Sequence, residues 1–128
     1  MTVDLRNAKD STLVAMKKAL TDAAEAIARK RRVSISLEEV VYFPPCEFAT
    51  DLVSRVRAAS AELRLSHRDI VSGAAHDAVY LSRVAPTAMI FVPCEGGISH
   101  NEIENARPQD LAAGCSVLLH AVLATALS

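Results

Sequence analysis

The sequence is poor in the features that most often announce a function. Its three cysteines, Cys46, Cys94 and Cys115, are odd in number and far apart, and none stand at CxxC spacing. That excludes a disulfide framework and a thiolate zinc site, and it fits a reducing cytoplasm. Only four glycines are present, none of them spaced as GxGxxG or GxxxxGK, so no phosphate-binding loop is expected. Net charge is almost absent: 14 Lys and Arg against 15 Asp and Glu leave −1, and no global field favours nucleic acid or an anionic membrane. The N-terminal "MTVDLRNAKD" has no apolar leader core, and the run "CSVLLHAVLATAL" is by itself too short to span a bilayer. A soluble cytoplasmic protein without a nucleic-acid or membrane partner is the expectation. The densest basic run, "RKRR" at 29–32, reads as the solvated cationic end of a helix.

What is present is a globular balance, 51% apolar and 23% charged over 128 residues, enough for one ordinary domain with a real core. "TVDLR" at 2–6 alternates like a short strand. From Ser11 to Arg32, Leu13, Met16, Leu20, Ala23, Ala24 and Ile27 recur at helical steps, with Asp10 or Ser11 as N-cap. "VSISLEEVVYF" at 33–43 alternates again until Pro44 and Pro45 stop it, so the first part reads β-α-β. Thr50 or Asp51 opens a helix to about Leu63, with Leu52, Val53, Val56 and Leu63 inward. Another helix starts near His76, and "TAMIFVP" between Pro86 and Pro93 reads as a buried strand. Pro108, Gln109 and Asp110 open a last helix to about Leu127.

Of the four histidines, His67 reads as a surface residue at a helix end and His120 as a core-edge or partner-facing residue of the last helix. His76 and His100 stand in "SGAAHDA" and "GGISH", each behind small residues that let backbone approach a ligand closely. A strand separates them and delivers the second loop at its carboxyl end, where α/β folds build sites. Read from the residues alone, His100 is a metal ligand, an acid or base, or a hydrogen-bonded side chain on a turn. Two histidines do not make a catalyst. A hydrolytic zinc centre needs three protein ligands and an open position.

The run "SGAAHDAVYLSRVAPTAMIFVPCEGGISHNE" resembles the C-terminal signature of the amidase/hydantoinase/carbamoylase family of metal-dependent amidohydrolases, which includes N-carbamoyl-L-amino acid hydrolases, β-ureidopropionases and allantoate amidohydrolases. The similarity extends over essentially the whole chain. The resemblance implies an α/β fold: residues 1–46 as the β-α-β half of a lid/dimerisation domain, and 47–128 as the C-terminal α/β portion of a metallopeptidase-like catalytic domain. It implies that His100 is a ligand of a dinuclear zinc, manganese or cobalt centre. His76 matches a residue that binds substrate and stabilises charge on the attacked carbonyl. Arg6 in "TVDLR" matches an arginine that grips the substrate carboxylate, often in a neighbouring subunit's site.

There are two departures from the family pattern. Ala75 stands where the family has glycine before the histidine. The remaining metal ligands, the general-base glutamate and a lid asparagine fall upstream of this segment. The resemblance therefore implies part of an enzyme cleaving the C–N bond of N-carbamoyl amino acids or related ureido and amide substrates, inactive alone. Its expected partners are a small-molecule substrate and either a second copy or the missing N-terminal portion. The other reading is a non-catalytic oligomerising or carboxylate-binding module derived from such an enzyme.

Overall fold

Leu13, Met16, Leu20 and Ala24 recur at three- and four-residue steps, and in the computed structural model, which describes residues 1–127, they line the inner side of helix α1, Asp10–Arg31. Ala23 and Ile27, expected on the same side, are exposed; Ile27 keeps 51% of its surface. The N-cap is Lys9 rather than Asp10 or Ser11, without a side-chain cap. Asp10 is the first helical residue, where a carboxylate suits the positive end of the macrodipole, and its Oδ1 accepts the Tyr42 hydroxyl. At the other end Arg29, Lys30 and Arg31 occupy the last turn, and Arg32 adopts the left-handed conformation (φ 53°) while its N–H returns to Ala28. The basic run is thus a helix end. Lys17 to Glu39 at 2.7 Å ties the 33–43 segment to the same helix, with the Tyr42–Asp10 bond.

The described chain divides into two compact units, Met1–Glu47 with Val71–Ala74, and Phe48–Ile70 with the segment from Ala75 onward. The second unit carries α2 (Thr50–Glu62), α3 (Asp77–Leu81) and α4 (Pro108–Ala126), and is organised by α2 packed on α4. Ala59, Val117 and Ala121 are its buried contact. Val56, Leu63, Leu65 and Ile90 close around them. Two of the three buried residues are alanines, and small side chains let two helices approach. The same need explains Gly114: a Cβ there would stand 2.6 Å from Val92 Cγ1. Helix α2 is entered through Ala49, not capped by Thr50 or Asp51; the Ala49 N–H bonds to the Thr87 carbonyl at 2.9 Å.

The strands expected at 2–6, 33–43 and 87–93 do not form: among the described residues there is no β-ladder, and the regular structure is helical. The alternation at 2–6 and 33–43 and the continuous apolar run at 87–93 are real. Alternation selects a face, however, whereas a strand exists only when a neighbour accepts its N–H and C=O groups. The apolar side chains of 33–43 accordingly stay open, with Val41 at 65% and Phe43 at 49% exposed, whereas Ile90 of 87–93 packs on the core of the second unit.

The surface is large for the chain. A folded monomer of 13.7 kDa exposes about 6,600 Å² by the usual scaling, and this one exposes 10302 Å². Helix α4 contributes, with Leu118, Leu119, Val122 and Leu123 all about half exposed. The 19-residue helix is also long and apolar enough, by length and composition, to cross a membrane. The thirteen-residue run at 115–127 is too short by itself; the helix extends it back to Pro108. One side of it is nevertheless laid on α2, which gives that side a reason to be apolar.

Candidate functional site

Arg6 lies in the first unit, and His76 and His100 in the second. Arg6 is exposed, and its guanidinium is held by the chain itself. Nε donates to Asp4 Oδ1 and Oδ2 at 3.1 and 3.0 Å, Nη2 donates to Oδ2 at 2.6 Å, and Nη1 donates to the Gly73 carbonyl. A guanidinium carries five N–H groups, so one hydrogen on each terminal nitrogen remains for a further acceptor. The hydrogen bond from Arg6 holds the Asp4 carboxyl below its ordinary range, and the same bond raises Arg6. Asp4 was legible in hindsight, because positions two apart in an alternating segment share a face.

The sign of that shift makes a prediction. A carboxyl with a depressed folded value adds what it adds above its unfolded value and loses it as pH falls through the folded one. In a carbon-detected NMR titration Asp4 should titrate below ordinary aspartate, and Arg6→Ala should return it upward. An unmoved Asp4 titration would mean the pair is not formed in solution. Both groups are fully exposed, so little change in stability should accompany the loss.

His76 occupies the N-cap position of α3 with extended backbone (φ −133°, ψ 155°) and is half-buried. Its ring meets Phe91 edge-on, centroids 5.5 Å apart at 62°. His67 is exposed, with Nδ1 3.0 Å from the Leu65 carbonyl, and His120 stands 3.5 Å from Glu62. These two are accounted for by local partners.

His100 sits in a loop that closes on itself. The Glu95 N–H bonds to the Asn105 carbonyl at 2.7 Å and Asn105 Nδ2 returns to Glu95 Oε2 at 3.0 Å, tying the loop's two ends. Within it Glu95–Gly97 forms a single 3-10 turn. Gly96 (φ 62°) and Gly97 (φ 70°) occupy the left-handed region that costs glycine nothing. His100 is left-handed as well, at φ 54°, a conformation that costs a residue with a Cβ roughly 1–2 kcal/mol. Its N–H donates to Glu104 Oε2 at 2.6 Å, a charge-assisted bond of the kind that offsets such a cost.

One imidazole can supply one nitrogen to a metal. Among the described residues no group of three or more His, Cys, Asp or Glu could hold a metal ion, so these residues do not by themselves fit a complete hydrolytic centre. The second unit also carries an open groove of about 640 Å³ between α2, α4 and the segment Ala88–Val92, lined by Leu52, Val56, Ile90, Leu118 and Val122 among others. It is apolar and carries none of the candidate residues.

Residues 2–124 match the family described as peptidase family M20/M25/M40. The chain is 45% identical over 125 residues to an N-carbamoyl-L-amino-acid amidohydrolase of Rhizobium meliloti, covering 98% of this chain and 30% of that protein. It is 37% identical to a ureidoglycolate hydrolase of Arabidopsis thaliana over 91% of this chain and 24% of the relative. Among solved structures, an amidase of the hydantoinase/carbamoylase family from Burkholderia multivorans matches with a TM-score of 0.89 and 48% identity, over 93% of this chain and 29% of that one. The chain thus spans 30% and 24% of the length of these two curated relatives. Enzymes of this family generally use divalent metals. With 123 of its residues matched and with this likeness to hydantoinase/carbamoylase amidases, the chain belongs to peptidase family M20/M25/M40.

Proposed function

We propose that this chain works as the C-terminal portion of a metal-dependent amidohydrolase that cleaves the C–N bond of N-carbamoyl amino acids or related ureido and amide substrates. What carries the reading is the likeness, along nearly its whole length, to an N-carbamoyl-L-amino-acid amidohydrolase. In this proposal residues 1–46 are the β-α-β half of a lid/dimerisation domain and 47–128 the closing α/β portion of the catalytic domain. The alternating segments become strands once a neighbouring chain segment pairs with them. Arg6 holds the substrate carboxylate with its two remaining N–H groups, His76 donates to the oxygen that gains charge, and His100 gives one nitrogen to a zinc, manganese or cobalt centre. The other ligands and the general base come from outside this chain.

The excess of exposed apolar surface supports a covering partner, either a second copy or the N-terminal portion. A net charge of −1 gives no global field that favours nucleic acid. Three cysteines outside any disulfide fit a cytoplasmic setting.

The 128-residue chain supplied with zinc, manganese or cobalt is expected not to hydrolyse N-carbamoyl-L-amino acids. Turnover by the isolated chain would overturn the assignment of the missing groups to another segment. The intact mass of the product in source cells, detected with an antibody to this segment, separates the two remaining forms. A species near 13.7 kDa makes a separate partner chain necessary. A species of the relatives' length means the remaining groups are in the same chain.

A further inference from the structure

The loop that presents His100 is held by a carboxylate four residues further on, and we propose that Glu104 is the positioning residue of His100. Its Oε2 takes the His100 main-chain N–H at 2.6 Å. The acceptor is itself fixed: the Glu104 N–H bonds to the Asn101 carbonyl at 2.9 Å, Asn101 Oδ1 accepts the Ile103 N–H at 3.1 Å, and the Cys94 thiol lies 3.9 Å from Glu104 Oε1. The bond therefore connects the start, the middle and the end of the loop.

The physical consequence is directional. A histidine released from this bond relaxes toward negative φ, since only glycine visits the left-handed region freely. Rotation about N–Cα swings Cα–Cβ, and with it the imidazole, away from where the loop now sets it. Two features make Glu104 the element that prevents this. It has the reach of a four-residue return, and it bonds the backbone rather than the ring, leaving both ring nitrogens for other work. The inference rests on the proposed function only for what the imidazole does. The conformational claim stands on the loop geometry.

The test uses the 128-residue chain, with two variants that separate reach from charge. Glu104→Gln keeps the reach and an acceptor oxygen; Glu104→Asp keeps the charge and loses one methylene. In proton–nitrogen NMR the wild-type His100 amide is expected downfield and protected from exchange. Glu104→Asp should speed its exchange about tenfold or more, the loss of one hydrogen bond to a charged acceptor, and Glu104→Gln, which keeps a neutral acceptor at the same reach, should speed it clearly less. Amides of α2 and α4 should not change in either variant. Wild-type exchange at His100 in Glu104→Asp overturns the proposal, as does Glu104→Gln exchanging as fast as Glu104→Asp. A protected His100 amide in a complete enzyme indifferent to His100→Ala would uphold the positioning and overturn the functional reading.

Discussion

Ala59→Asp is expected to separate α2 from α4. Ala59 keeps only 4% of its surface and is clustered with Val117 and Ala121 between the two helices. A carboxylate placed there is taken out of water at a site sized for a methyl group, and burying such a charge costs several kcal/mol, a large share of the roughly 5–15 kcal/mol that holds a domain folded. The helices cannot survive the loss separately. Helix α2 spans 13 residues, and isolated helices of about that length are marginal in water. The expected result is a far-UV circular dichroism melt with reduced helix signal and no cooperative transition. Ala58→Asp, one position along and exposed, is the control and should lie within about 0.5 kcal/mol of wild type. Equal melts for the two variants would mean that α2 and α4 do not pack as described.

Under the proposed function, His76→Ala in the complete enzyme should lower kcat on an N-carbamoyl amino acid by about 10²- to 10³-fold, the usual cost of removing one donor aimed at a developing oxyanion. KM should change little, because a donor that acts only as charge develops is not used in ground-state binding. Arg6→Ala should show the reverse, a raised KM with kcat largely kept, since a carboxylate grip binds substrate and transition state alike. Steady-state kinetics of the two variants side by side decide the matter. If His76→Ala raises KM alone, its edge-on contact with Phe91 holds substrate rather than stabilising charge.

Much of the local structure was legible. The three-and-four spacing of Leu13, Met16, Leu20 and Ala24, the acids and proline near helix starts, and the basic run at 29–32 each correspond to a helix feature within a residue or two. These signals are local, and helix hydrogen bonds are local too. The glycines of "GGISH" were equally readable, because positive φ at Gly96 and Gly97 demands that residue type. Ala59 escaped the expected inner face of α2, since an alanine carries little hydrophobic signal even where it is the buried contact. Glu104 escaped for another reason: it acts by reaching a named atom, and no periodicity reports that.

The sequence by itself determined the helices, the turn before His100, the two histidine loops and the family resemblance, all of which depend on neighbours in the chain or on the order of residues. Tertiary structure alone decided which alternating segments lack a ladder, which small residues form the α2–α4 contact, and that Glu104 holds the His100 backbone. Strand pairing, close packing and a carboxylate's reach are relations between groups brought together by folding. A one-dimensional pattern can permit such relations; only the arrangement of the atoms selects among them.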